Sequence, residues 1–112
     1  MNTRTQALLW LGQRASAAVL ALCVLVHLCT IVYAVRGGLS AAEILARTKG
    51  SLAWLVFYSL FVLAVAVHAP IGLRSIFSEW LGWRDASRDW VLLALATVLA
   101  LSGMRTVIGM FA

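Results

Sequence analysis

The chain has 112 residues, 63% of them hydrophobic, with nine basic and four acidic side chains beside five tryptophans. Soluble domains run nearer about 45–50% apolar and about 25% charged, so this is the composition of a membrane protein. A net charge of +5 does not indicate nucleic acid, because the cations are dispersed at the ends of apolar runs rather than gathered in a patch.

A membrane-spanning helix needs roughly 20 mostly apolar residues, and three such segments follow in order. The first is predicted over 15–36: Ala15 to Val35 is uncharged and bracketed by Arg14 and Arg36. It is longer than the roughly 7–15 apolar residues of a signal peptide and no small-residue cleavage site follows it, so it is read as a retained helix. Cys23 and Cys29 both lie inside this run, six apart, where they would not face each other. They read as small packing hydrophobes rather than a disulfide. The loop that follows carries Gly37-Gly38, a helix stop. Ser40-Ala-Ala-Glu43 then has the form of a capping box opening a short interfacial helix.

The second span is predicted over 51–74, closed by Arg74. Ile76, Phe77, Trp80, Leu81 and Trp83 alternate with polar residues in the next stretch. This predicts an extension of the second helix beyond the membrane surface, with aromatics at headgroup level. The third span, 90–111, starts at Trp90 and is interrupted only by Arg105, near its far boundary. Helices are the economical way for such segments to satisfy their backbone in lipid. The expected fold is all-α and integral to the membrane: three transmembrane helices with short loops, a single anchor domain over 1–112, forming part of a larger helical bundle. No repeat, low-complexity tract or soluble domain is present, so any enzymatic role is as a subunit of something larger.

Counting Lys and Arg by side barely orients the chain. The N-terminus (Arg4, Arg14) and second loop (Arg74, Arg84, Arg88) hold five, and the first loop (Arg36, Arg47, Lys49) and C-terminus (Arg105) hold four. The positive-inside rule thus weakly favours a cytoplasmic N-terminus.

Chemistry concentrates at two histidines. His68 lies near the end of the uncharged run from Ser51 to Leu73. An ionisable group at membrane depth is expensive and marks a functional site, and imidazole is the commonest protein ligand for a metal, including haem iron. Gly72, one turn on, would let a flat ring or another helix come close. Pro70 can kink the helix. Arg74 could meet haem propionates in charge-assisted hydrogen bonds. The plain alternative is that His68 only hydrogen-bonds across helices, with Pro70 and Gly72 serving packing.

His27, in the first span, fits that plain reading too. From Arg14 to His27 is thirteen residues, roughly 20 Å along a helix, whereas His68 is six residues, roughly 9 Å, from Arg74. The imidazoles are expected to differ in height by something like 10 Å, so one chain's pair does not flank a single iron.

The string His68-x-x-x-Gly72-Leu-Arg74-Ser-Ile-x-x-Glu79-Trp80 resembles the second helix of the cytochrome b membrane-anchor subunits of succinate dehydrogenase and fumarate reductase. Arg14-Ala-Ser16 resembles that family's Arg-x-Ser signature in the first helix, and the length, three spans and short loops are similar. The resemblance implies a subunit that passes electrons from a flavoprotein, through an iron–sulfur subunit, to a membrane quinone. His68 would be an axial ligand of haem b, and so bind its iron. Arg74, with Arg14, would meet the propionates. Arg14, Ser16, Glu79 and Trp80 would border the quinone pocket. The setting implied is the bacterial cytoplasmic (inner) membrane, with the N-terminus and second loop cytoplasmic beneath the iron–sulfur subunit.

The chain also departs from the pattern. Trp10 and Gln13 stand where many relatives have serine and histidine, and Glu79-Trp80 replaces the more usual Asp-Tyr or Asp-Phe. The string His68-Ala-Pro-Ile-Gly72 is close to the companion anchor subunit as well, which leaves open which of the two this is. Some members carry two haems stacked across the membrane, and the height difference suits a second, distal haem iron at His27. One histidine per level leaves the opposing ligands to another chain, either a distinct anchor or a second copy. Two other classes stand beside this one. One is a haem-free structural anchor or assembly subunit. The other is a small transporter, disfavoured because Glu43, Glu79, Asp85 and Asp89 all lie outside the spans.

Overall fold

The computed structural model describes residues 2–112 and is all-helical, with no strand among them. The order is α1 (Thr3–Arg36), α2 (Ala41–Thr48), α3 (Leu52–Trp80) and α4 (Ala86–Phe111). Helices α1, α3 and α4 are long and apolar enough to cross a membrane.

Helix α1 begins well before the apolar run that predicts it. The run marks what lipid tolerates, whereas the helix needs only a cap and no breaker. Asn2 supplies the cap, its side-chain oxygen accepting from the Thr5 N–H at 2.8 Å. At a rise of about 1.5 Å per residue, 34 residues reach about 51 Å, well beyond a hydrocarbon core of about 30 Å. Helix α1 is therefore longer than a single crossing of the apolar layer needs.

The short helix α2 opens as its sequence predicts. The Ser40 hydroxyl accepts from the Glu43 N–H at 3.2 Å and donates to the Glu43 carboxylate at 3.1 Å. Two ties then clamp this loop to the C-terminal end of α4: Thr48 Oγ1 donates to the Met110 carbonyl (3.0 Å), and the Gly50 N–H donates to that of Phe111 (2.8 Å). Gly50 sits at φ +71°, the left-handed region that glycine enters without strain. On the α1 side, Arg47 donates to Tyr33 Oη at 3.2 Å and lies over its ring.

Helix α3 is the middle helix, packed against both α1 and α4. It runs unbroken through the buried Pro70 and on to Trp80, the extension that the amphipathic second loop predicts. It packs tightly against α4 at Gly103, where an added Cβ would come within 2.6 Å of Val62 Cγ1. Its approach to α1 is at Gly12, beside Ile71 and Val67.

The chain barely forms a core of its own. Among the described residues the buried apolar side chains are Cys23, Ala64, Pro70, Leu92 and Val107, while large residues along all three long helices, such as Leu25, Leu60 and Leu101, stay exposed. Both cysteines are free, Cys23 buried and Cys29 exposed. A helix layer this thin is completed by lipid or by further helices.

Candidate functional site

The antiparallel seam between α1 and α3 sets both histidines. Near one end Ser16 of α1 meets His68 of α3, with Oγ 3.4 Å from Nδ1. Further along, His27 of α1 meets Tyr58 of α3, with Nδ1 3.2 Å from the phenol oxygen. The two pairs are eleven residues apart on α1 and ten on α3, which separates the imidazoles by roughly 15 Å along the helices. This exceeds the 10 Å expected from distances to the flanking arginines, because Arg14 and Arg74 do not lie at one height. At this separation the two rings of one chain do not flank a single iron.

At the first level Ser16 is 7% exposed and His68 half-buried. The Ser16 hydroxyl also donates to the Gln13 carbonyl at 3.1 Å. Beside Gly72, where a ring or a helix was expected to approach, the occupant within the chain is the Gln13 side chain, its Nε2 3.3 Å from where a Cβ would stand. Gln13 Oε1 is buried without a hydrogen-bond partner. The Gln13 amide also lines a cavity of about 360 Å³, with Gln6, Trp10, Ile71 and Arg74.

A charged cluster closes this end. Arg88 at the start of α4 is 5% exposed. It donates through Nη1 to Ser78 Oγ (2.5 Å) and through Nε to Asp89 Oδ1 (2.9 Å), with Nη2 also 2.9 Å from that oxygen. Arg74 Nε lies 3.4 Å from the same carboxylate oxygen. Asp85 caps α4, and its carboxyl is held below the usual carboxylate range. The largest cause is the hydrogen bond from the Ser87 hydroxyl; desolvation, next in size, opposes it, and bonds from the Trp83 indole and the Ser87 and Arg88 N–H groups add to the lowering. Trp83 in turn stacks on Phe77.

The remaining predicted residues are not drawn into one pocket within the chain. Arg14 is exposed, with its guanidinium over the Trp10 ring at 5.5 Å. Glu79 and Trp80 stand exposed at the end of α3, eleven and twelve residues past His68, roughly 17 Å along the helix.

At the second level His27 meets Tyr58 and Phe61 edge-on, both with ring centroids 5.7 Å away. It lines two cavities. One, of about 420 Å³, lies towards Ser102, Gly103 and Thr106; the other, of about 330 Å³, lies towards Arg47, Thr48 and Trp54. Tyr58 and the buried Arg88 are site-forming residues that the sequence does not single out. A tyrosine in an apolar run and an arginine in a loop become noticeable only once the helix register is known.

The donor set can be tested against a haem. Among the described residues no group of three or more His, Cys, Asp or Glu side chains could hold a bare metal ion. A porphyrin supplies four donors itself and asks the protein only for axial ones. One imidazole per level, with Nδ1 held by a neighbouring hydroxyl, fits half of such a site.

Three apolar helices bearing imidazoles at two depths, with a charged cluster at one end, define a multi-pass membrane protein. The chain matches the model of the succinate dehydrogenase/fumarate reductase transmembrane subunit over residues 1–104 and belongs to that family. It is therefore a membrane subunit of such a complex, whose other parts are flavoprotein and iron–sulfur subunits. No curated protein and no solved structure matches it.

Proposed function

We propose that this subunit binds haem b through His68 and carries electrons between the iron–sulfur subunit and a membrane quinone. The observation that carries the reading is the pose of His68: a half-buried ring at membrane depth, its Nδ1 held by Ser16 and its Nε2 in no hydrogen bond among the described residues. Haem, when bound, supplies a one-electron carrier at this level. The chain's own residues hold and surround it. His68 would hold the iron through Nε2, and Arg74, about 9 Å nearer the helix end, would with Arg14 supply the cations that meet the propionates. Arg14 borders the quinone with Ser16 behind it, Glu79 and Trp80 standing further out at the end of α3, and the polar groups at this end exchange its protons with water. The end that carries Arg74 and Arg88 lies in the cytoplasm under the iron–sulfur subunit, in a bacterial inner membrane. A further anchor chain, or a second copy of this one, covers the exposed apolar faces and supplies the opposing ligand.

His27 holds a second, distal haem in this scheme. The roughly 15 Å between levels leaves room for two stacked groups, and the cavities beside His27 are its side of that site. Replacing His27 with a non-ligating residue should remove one haem per complex; unchanged stoichiometry would sink this part.

One observation favours the haem-free anchor reading. The Gln13 amide fills the space beside Gly72, as simple helix packing requires. Reduced-minus-oxidised spectra of the purified complex decide between the two. The proposal expects the sharp α-band of a six-coordinate b-type haem, and a flat difference spectrum would refute it.

A further inference from the structure

We infer that Ser16 is a positioning residue for His68: its buried hydroxyl accepts from Nδ1–H and so fixes the tautomer whose Nε2 lone pair is free for iron. The inference rests on the haem-ligand reading of His68 and gives Ser16 a task apart from the quinone.

A count of protons sets the direction of this contact. A serine hydroxyl has one hydrogen to donate and two lone pairs to accept with. The Ser16 hydrogen goes to the Gln13 carbonyl at 3.1 Å, so a lone pair faces His68 Nδ1 at 3.4 Å. A contact between that lone pair and the ring is attractive only if Nδ1 carries the proton. A neutral imidazole with its proton on Nδ1 has its lone pair on Nε2. Burial of Ser16, 7% exposed, keeps water from competing.

Other hydroxyls of the long helices set Ser16 apart. Thr97, Ser102 and Thr106 are exposed and bond only carbonyls of their own helix, the usual fate of such groups. Ser16 makes that bond and also reaches a ring nitrogen on a neighbouring helix. The same count does not fix His27. Among the described residues Tyr58 is the hydrogen-bond partner of the His27 ring, and the phenol is free to donate or to accept.

Partners of this kind orient a metal-bound histidine and raise its basicity. A more basic ligand favours ferric iron, so loss of the partner raises the haem potential. At 3.4 Å, with a neutral acceptor, the effect lies at the small end of what such partners do.

The test uses the assembled complex with Ser16→Ala and Ser16→Thr, reading the haem midpoint potential and the low-spin electron paramagnetic resonance g-values. Ser16→Ala should keep its haem, raise the potential by up to about 60 mV (the one-electron equivalent of tenfold) and shift the g-values as the ring is freed. Ser16→Thr, which keeps the hydroxyl, should restore both. Loss of haem in Ser16→Ala with recovery in Ser16→Thr supports the same role. Unchanged potential and g-values in Ser16→Ala, or defects that Ser16→Thr does not mend, overturn it while His68 stands as ligand. A wild-type complex without haem is a different failure, and it removes the ligand reading itself.

Discussion

The two ends of the α1–α3 seam present the same ring in different settings. His68 meets a small buried hydroxyl whose proton is already directed elsewhere, and two turns further on lies a cluster of two arginines, a serine and an aspartate. His27 meets a phenol among aromatic edges, beside open cavities and a tight glycine crossing. Polarity at the first end is concentrated and interlocked, whereas at the second it is dilute and set among apolar groups. A histidine's depth alone therefore does not define its role. What holds its second nitrogen, and what charge lies within reach, separates the two.

Substitutions at either end sharpen this contrast. The largest effect on stability is expected at the charged end. Arg88→Ala removes three polar contacts made by a buried guanidinium and leaves Ser78 and Asp89 to find new partners. The cost is about 2–3 kcal/mol, moderated because Asp89 is half exposed and keeps Arg74. It should appear as a lower melting temperature of the detergent-solubilised complex.

At the other end the comparable weakness is steric. Gly103→Ala drives a methyl into the stiff, β-branched Val62 and should cost about 1–3 kcal/mol. A second change, Val62→Ala, should recover part of that loss. Gly109→Ala, with nothing within 4 Å of the new methyl, should be neutral or gain up to about 1 kcal/mol of helix propensity. Equal effects at the two glycines would break the account of the α3–α4 crossing.

Smaller again is Tyr58→Phe, which removes one hydrogen bond from His27 at about 0.5–1.5 kcal/mol. It should leave signals that originate at His68 unchanged, since the two levels are some 15 Å apart. The smallest effect is that of acid at the α4 cap. Asp85 titrates below its usual value, so its contribution is complete above that value and is lost as the pH falls through the lowered one. Asp85→Asn should lower stability slightly at neutrality and flatten the profile below about pH 4, so that variant and wild type converge as Asp85 is protonated.

The three spans, the α2 cap and the extension beyond Arg74 were legible because each has a local cause: an apolar run, Ser40 three before Glu43, and an amphipathic stretch. The start of α1 at Thr3 was not, since polarity ends a membrane span without ending a helix. Ser16 and His68 both stand out in the sequence, but for different reasons. That they touch follows from the antiparallel register, which no single segment encodes. Arg88 read as one loop cation among several. Its burial arises because the extended end of α3 passes beside the start of α4 and offers it Ser78. Gly72 marks a place of close approach, and its neighbour within the chain is Gln13.

The central claim is that His68, and not merely the presence of some histidine, secures haem near the charged end. The most direct measurement is haem content per assembled complex, normalised to the iron–sulfur subunit, for wild type, His68→Gln and His27→Gln. The account predicts that His68→Gln removes one haem, while His27→Gln leaves the haem at His68 in place with its spectrum unaltered. A His68→Gln complex with the full wild-type haem complement would contradict it.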